Sequence, residues 1–491
     1  MALTEEDLQE IPAEGIDTEI PGKYAELLSD LQGNILRGHG RDHTVHLFLQ
    51  FKPNQVQPLK EWIKIFAQNV TSAQKQATDA VRFRKAKIAG DLFINFFLSR
   101  KGYEFLEFKP FQIPGDQPFR FGMKNDAVRN LLGDPVIEEW DTGLQGEIHA
   151  LLLIADDSLE KLQLAIDYIT EQLEQLAQVV HRENGFILRN DNGDIIEHFG
   201  FIDGISQPLF LKRDIERVRN IEIKKIRESN PNLSEEAIQE LIKELDSKWN
   251  PRAPLSLLLA KDPNGKLEDS YGSYLVYRKL EQDVNAFRDA QAFLAKELGD
   301  IDQELAGALT MGRFRDGTPL TLSSTPAKDE TNNFDYSDDQ QALKCPFHSH
   351  VRKSNPRGDT GRVVSSGESF EQALEKERNH RIARRGISYG ESDLSKATST
   401  GSGLLFLCFQ ADIENQFNFI QAAWSNPNNF VQVNVGTDPI IGQAAPDARN
   451  QKWPIKWGEP ETKPGFNFQL WVHLKGGEYF FAPSISSLKN I

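Results

Sequence analysis

The sequence predicts an α+β fold built twice over, each copy an antiparallel sheet with helices packed on one face. Three observations predict it. In the first half, HTVHLFLQF (43–51) reads as a strand, and the following VQPLKEWIKIFAQNV places Leu59, Trp62, Ile63 and Phe66 at the three-and-four spacing of a buried helical face. Next, EIHALLLIA (147–155) reads as a buried strand. Asp156, Asp157 and Ser158 then offer a helix N-cap, and Leu159, Leu162, Ile166 and Ile169 form a second helical stripe. In the second half the order recurs. GSYLVYRKL (272–280) precedes a helix through Val284, Phe287 and Phe293, and GLLFLCFQADI (403–413) precedes one through Phe417, Ile420 and Trp424. The spacing is too loose for a solenoid. A strand–helix order met twice is the pattern of two ferredoxin-like domains.

The boundaries follow from composition. Residues 1–25 are a polar leader in which Pro12, Gly15 and Pro21 break any helix, so a loose segment is expected. Residues 26–210 form the N-terminal ferredoxin-like domain, 211–251 a charged helical insertion, and 252–491 the C-terminal ferredoxin-like domain. In the insertion Ser234 is a good N-cap, with Leu233 and Ile238 placed for a hydrophobic staple. Its charge density reads as a solvated helical face, with a partner-binding arm as the rival reading.

Composition excludes several function classes. The chain has 491 residues and carries 56 Lys and Arg against 72 Asp and Glu, a net charge of −16. Such a surface repels phosphate backbones and anionic lipids, so neither nucleic acid nor a membrane is expected as a partner. Apolar residues make up 39%, and 31 Phe are enough to fill sizeable cores. No apolar run approaches the roughly 18 residues of a membrane span. The start, MALTEEDLQE, lacks a basic-then-apolar signal pattern, which points to a cytoplasmic protein. Cys345 and Cys408 alone cannot build a disulfide framework, as expected in a reducing compartment.

Three segments carry chemistry. In HFGFIDGISQP (198–208), Gly200 and Gly204 flank Asp203, and an acid on a glycine-flexed loop against apolar walls suits proton donation and acceptance. In KCPFHSHVRKSNPR (344–357), Cys345, His348 and His350 invite a zinc reading, but a fourth ligand and paired spacing are missing. A single imidazole is enough for haem iron, and Arg352, Lys353 and Arg357 could neutralise the haem carboxylates. In HRIARRGISYG (380–390), Arg384 and Arg385 are surface charge on the plain reading; in a pocket, an arginine stabilises negative charge as an O–O bond breaks.

These segments together resemble the dye-decolourising (DyP-type) haem peroxidases. The resemblance rests on GFIDG with its ISQP extension, on CPFHSHVRKSNPR, on RRGISYG followed by GLLFLCFQ, on the terminal GGEYFFAPSISSL, and on QGNILRGHG (32–40). They occur in the family's order over nearly the whole chain. Length and the helical insertion resemble the larger, fungal- and cyanobacterial-like subgroup.

The resemblance implies two ferredoxin-like domains with one haem b between them, the C-terminal domain binding it. It implies a peroxidase that uses hydrogen peroxide to oxidise bulky organic donors such as dyes and phenols. Asp203 matches the distal acid–base residue, Arg384 the distal arginine that stabilises O–O cleavage (Arg385 if the register shifts by one), and His350 the iron ligand, with His348 as rival. Arg352 and Arg357 would meet the cofactor's carboxylates, and Leu404 and Phe406 would shape the peroxide pocket. Asp438, in GTDPIIG, is a candidate partner of the proximal imidazole or else a turn residue. Tyr389 and Trp424 are candidate electron relays, with packing the stronger reading for each. An Asp in place of a His as base predicts turnover on the acid side of neutrality, since a free carboxyl titrates near about 3.9. A haem- or iron-handling protein of the same fold, and a metal-free binding protein, are the alternatives. A monomer or weak homo-oligomer is expected.

Overall fold

Both halves build the same four-strand sheet because in each the apolar runs arrive in the order strand–helix–strand–strand–helix–strand. The computed structural model describes residues 2–248, 251–362, 367, 369–396, 398–443, 449–460, 462–464 and 466–491. In chain order the strands are β1 (His43–Phe51), β2 (Phe93–Leu98), β3 (Ala150–Asp156), β4 (Ala177–Phe186), β5 (Ala260–Lys261), β6 (Tyr271–Gln282), β7 (Ala383–Arg384), β8 (Ile387–Tyr389), β9 (Gly403–Gln410), β10 (Lys452–Pro454), β11 (Thr462–Pro464) and β12 (Val472–Ala482). The first half pairs as β4–β1–β3–β2 and the second as β12–β6–β9 with β8 and β7 beyond, antiparallel throughout. Each is the strand order expected of a ferredoxin-like unit.

The half-sheets do not stand apart. β2 pairs with β12 through Leu98 and Phe481, and β4 pairs with β8 through Phe186 and Ser388. With β6 also paired to β9, the strands β6–β12–β2–β3–β1–β4–β8–β9 close a ring. Closure removes the exposed edges that each half alone would present.

The period-two alternation of these strands separates two cores. Phe48, Phe97, Leu151, Leu153, Leu275, Leu405, Leu407 and Phe480 point into the barrel. Leu47, Leu49, Phe96, Leu152 and Ile154 point outward beneath the helices Val56–Phe66 and Leu159–Leu173. Ser158 caps the second helix by accepting from Lys161 N, and Leu162, Ile166 and Ile169 are its buried stripe, but Leu159 is exposed. The expected stripe starts one turn too early because Leu159 occupies the first helical position, outside the sheet-facing arc.

The leader is not loose. Leu3, Ile11 and Ile16 are buried in the barrel-side core, Leu3 N donates to Asp269, and Ile16 bridges Leu211. Its few apolar residues suffice to dock it despite its polar composition. The insertion forms the helices Lys212–Ser229 and Glu235–Lys248, with Ser234 Oγ accepting from Ala237 N; its residues 249 and 250 lie outside the described residues. Ile215, Ile238, Ile242 and Leu245 are buried and Leu233 is exposed, so the insertion packs one face while the expected staple is not formed. Among the described residues no helix is long and apolar enough to cross a membrane.

Inside the barrel His46 lies edge-on to Tyr277, and neither ring nitrogen finds a partner. Burial, with a smaller push from His39, lowers its pKa to about 3. The unfolded chain therefore takes up a proton near the ordinary value of about 6.5 that the folded chain refuses. Stability from this site is full above that value and drains away as pH falls toward the folded one. His46→Phe is expected to cut the slope of unfolding free energy against pH between about 6 and 4 by about one proton, or ~1.4 kcal/mol per pH unit. Urea unfolding at several pH values measures it; parallel slopes for the two proteins refute it.

Candidate active site

Strand alternation decides which side chains of the second half-sheet can reach a ligand. Because Leu275, Tyr277, Leu405 and Leu407 turn into the barrel, Arg278, Leu280, Leu404 and Phe406 turn outward, where they wall a cavity of about 260 Å³. Phe417, Ile420 and Gln421 form another wall, from a segment wound as π-helix over Glu414–Asn418 and Ile420–Ser425. The expected helix thus has a wider turn, a feature often found at functional sites. Residues 197–208 and 311–317 and the segment around His350 complete the cavity.

Asp203 reaches the cavity on a loop that needs its glycines. Gly200 and Gly204 adopt φ of +93° and +81°, the left-handed region that side chains disfavour. The carboxylate of Glu197, itself facing the cavity, accepts from Phe199 N and Phe201 N at 2.9 Å each and from the Gln282 amide, closing the turn that leads to Asp203. Burial raises the Glu197 pKa. Asp203 Oδ1 accepts from Gly204 N at 2.6 Å and from Arg384 Nη1 at 3.2 Å. Arg384, on β7, is fixed further: its Nη2 donates to Ile205 O at 2.8 Å and its N to Gln207 Oε1 at 3.0 Å. The ISQP extension therefore holds the arginine that faces its own aspartate.

His350 opens the short helix His350–Ser354 and lines the same cavity. Its Nδ1 lies 2.9 Å from Asp438 Oδ2, and Asp438 Oδ1 accepts from Ile440 N and Ile441 N. Asp438 is buried, so an Nδ1–H donated to it fixes the tautomer and leaves the Nε2 lone pair free as a ligand atom on the cavity side. His348 lies outside the cavity, stacked edge-on against Trp453, with Nδ1 on Val435 O; burial lowers its pKa to about 3.

Two expected residues need correction. Arg352 is fully buried away from the cavity, its Nε 2.6 Å from Asp359 and its Nη1 2.9 Å from Asp339, so it has no donor to offer a ligand. Arg357 stands behind the cavity wall, donating to Asn332 O, Phe334 O and Ser206 Oγ. Two arginines that the sequence reading missed take the place at the wall: Arg313 and Arg381. Arg313 bonds only neutral groups (Gly317 O, Thr331 O and Asn332 Oδ1), and Arg381 Nε bonds Arg378 O. Among the described residues neither has a carboxylate at ion-pair distance. Burial first, and then the Arg357 charge, lowers Arg313 to about 9; burial and neighbouring arginines lower Arg381 to about 10. Arg381 sits inside the HRIARRG run, masked by the adjacent pair, and Arg313 carries no sequence signal at all.

Residues 30–188 match the family described as the DyP dimeric alpha+beta barrel domain, and residues 312–433 match the C-terminal domain of Dyp-type peroxidases. The chain is 35% identical over 488 residues, 96% of its length and 97% of the other's, to a multifunctional dye peroxidase of Amycolatopsis sp.. It belongs to the DyP-type peroxidases. A dye-decolorizing peroxidase of Mycetinis scorodonius is 31% identical over 408 residues, 77% of this chain and 72% of that protein. Among solved structures, a DyP-type peroxidase of Anabaena sp. superposes with a TM-score of 0.91 at 58% identity, covering 99% of each chain.

In this peroxidase Tyr389 and Trp424 are both buried and neither lines the cavity. Asp141, His181 and Glu183 come together elsewhere, but Lys279 Nζ, 2.6 Å from Asp141 and 2.5 Å from Glu183, already neutralises that cluster.

Proposed function

We propose that this peroxidase is haem-dependent and uses hydrogen peroxide to oxidise bulky organic donors such as dyes and phenols. One observation carries the reading: a single apolar cavity joins an imidazole anchored on a buried carboxylate to an acid and a guanidinium 3.2 Å apart. The donor set supports haem b. His350 Nε2 would hold the iron, the apolar walls Leu280, Leu404, Phe406 and Phe417 suit a porphyrin face, and the carboxylate-free Arg313 and Arg381 would meet the propionates. When bound, the haem supplies the redox chemistry that breaks the peroxide O–O bond and passes oxidising equivalents to a donor.

The residues of the chain govern protons and charge. Asp203 Oδ2, without a partner among the described residues, takes a proton from hydrogen peroxide and returns it to the departing oxygen, which leaves as water. Arg384 stays cationic throughout and stabilises the negative charge that grows on the peroxide oxygens. Its hold on Ile205 O and Asp203 keeps the guanidinium in place before the reaction, so no reorganisation is needed during it. With the cofactor against these apolar walls the cavity would be filled, so bulky donors are oxidised from outside it. The relatives whose names include dyes support that donor class.

The absorption spectrum of the haem-supplied chain before and after peroxide tests the cofactor. His350→Ala is expected to abolish normal haem ligation while the fold is kept. Retention of wild-type ligation in that variant moves the iron ligand elsewhere and overturns the assignment.

A further inference from the structure

The run QGNILRGHG has no place in the chemistry above, yet its Asn34 and Ile35 carbonyls meet Arg385, the neighbour of Arg384. Arg384 ends β7 and turns to the cavity, while the next residue, Arg385, whose N donates to Leu407 O of β9 at 2.7 Å, turns away from it. There the Arg385 guanidinium meets three backbone carbonyls: Nε donates to Asn34 O at 2.7 Å, Nη2 to Ile35 O at 2.9 Å, and Nη1 to Arg384 O at 2.8 Å. It thus ties the carbonyl of Arg384 to a segment from the other half of the chain.

That segment is itself rigid. Asn34 has φ of +70°, a left-handed conformation that asparagine tolerates, and its N donates to Gln76 Oε1 while its Oδ1 accepts from His39 N. A Cβ on Gly33 would lie 2.8 Å from the Phe93 ring, so only glycine fits there. Gln32 is buried and bonds both Phe96 in β2 and Pro483 after β12. The Q-G-N signature therefore fixes two carbonyls for Arg385 at the seam between the half-sheets.

The arrangement costs stability. Among the described residues no carboxylate lies at ion-pair distance from Arg385; burial pushes its pKa down to about 10, with the Asp214 charge opposing that shift and the Arg384 and Arg37 charges adding to it. The rigid guanidinium fork suits the three carbonyls, whereas a lysine offers a single ammonium to them.

We propose that Arg385 is the positioning residue for Arg384, bracing β7 against residues 32–36 so that the Arg384 guanidinium meets Asp203. This rests on the reading that Arg384 acts on peroxide. Three variants of the haem-loaded enzyme separate the two ideas: Arg385→Gln, Arg385→Lys and Arg384→Leu. Stopped-flow mixing with peroxide gives the second-order rate, thermal unfolding gives the folded fraction, and amide hydrogen exchange reports on residues 383–387.

Arg385→Gln is expected to slow the peroxide reaction by about 10²-fold, the order of cost of a misplaced catalytic group. Exchange in 383–387 is expected to rise while the protein remains folded at the assay temperature. Arg385→Lys keeps the charge but not the fork, and an intermediate rate is expected. If Arg385→Lys reacts at the wild-type rate, charge alone suffices and the brace is overturned. If Arg384→Leu is slow but Arg385→Gln is not, or if the loss in Arg385→Gln only tracks its unfolded fraction, the positioning role is likewise overturned. If Arg384→Leu itself reacts at the wild-type rate, the underlying reading of the site fails first.

Discussion

Arg384→Leu is expected to retain haem and to slow the reaction with hydrogen peroxide by about 10²–10³-fold, the scale on which a preorganised electrostatic donor acts. The substitution removes the cation that bonds Asp203 Oδ1 and leaves Ile205 O without its partner. Asp203→Asn complements it. The amide oxygen still accepts from Gly204 N and Arg384, so the loop geometry is kept, but the side chain no longer accepts the peroxide proton. A loss of similar order is expected. The two residues share one hydrogen bond and one substrate, so the double variant should lose far less than the product of the single losses. Stopped-flow absorbance at the haem band measures all three. A wild-type rate in Arg384→Leu removes the guanidinium from the mechanism, and fully multiplicative losses would show that the pair does not work as a unit.

The second large effect concerns stability. Among the described residues, Arg352→Leu leaves Asp339 buried with no cation and leaves Asp359 only its contact with Arg362. Breaking one member of such a buried network costs about 3–5 kcal/mol. Urea unfolding of the apo chain should show it, and adding Asp339→Asn should recover part, because the stranded charge is then gone. The experiment also discriminates between two placements of this arginine. Were Arg352 a partner of the haem carboxylates, its loss would weaken haem binding and leave apo stability nearly unchanged. The expected result is the reverse.

Much of the fold was legible because apolar periodicity is a local property. Each of the strands 43–51, 272–280 and 403–413 read from its own residues, the last ending three residues sooner at Gln410, as did the stripe Leu162, Ile166 and Ile169. The errors came where a few residues outweighed composition. The leader looked loose by its polar content, yet three apolar side chains dock it. The helix through Phe417 and Trp424 was legible as a helix but not as a π-helix, because its spacing differs from the α period by too little over so few turns. In the candidate site, Asp203, His350, Arg384 and Asp438 stood in short motifs and fall around one cavity or next to it. Arg352 was misplaced for a physical reason: a basic run names the charges but not their partners, and Asp339 and Asp359 lie 13 and 7 residues away along the chain.

By itself the sequence determined the repeated strand–helix order, the glycine-flanked acid, the imidazole before a basic run and the paired arginines, since each is written within a dozen residues. Tertiary structure alone decided the closure of two half-sheets into one barrel, which depends on single-pair seams at Leu98–Phe481 and Phe186–Ser388. It also decided which arginines face the cavity. Arg278, Arg313, Arg381 and Arg384 reach it, whereas Arg352 is bound by buried acids and Arg385 by backbone carbonyls. A guanidinium is the same group at all six positions, and only the partners that folding brings within hydrogen-bond reach tell them apart.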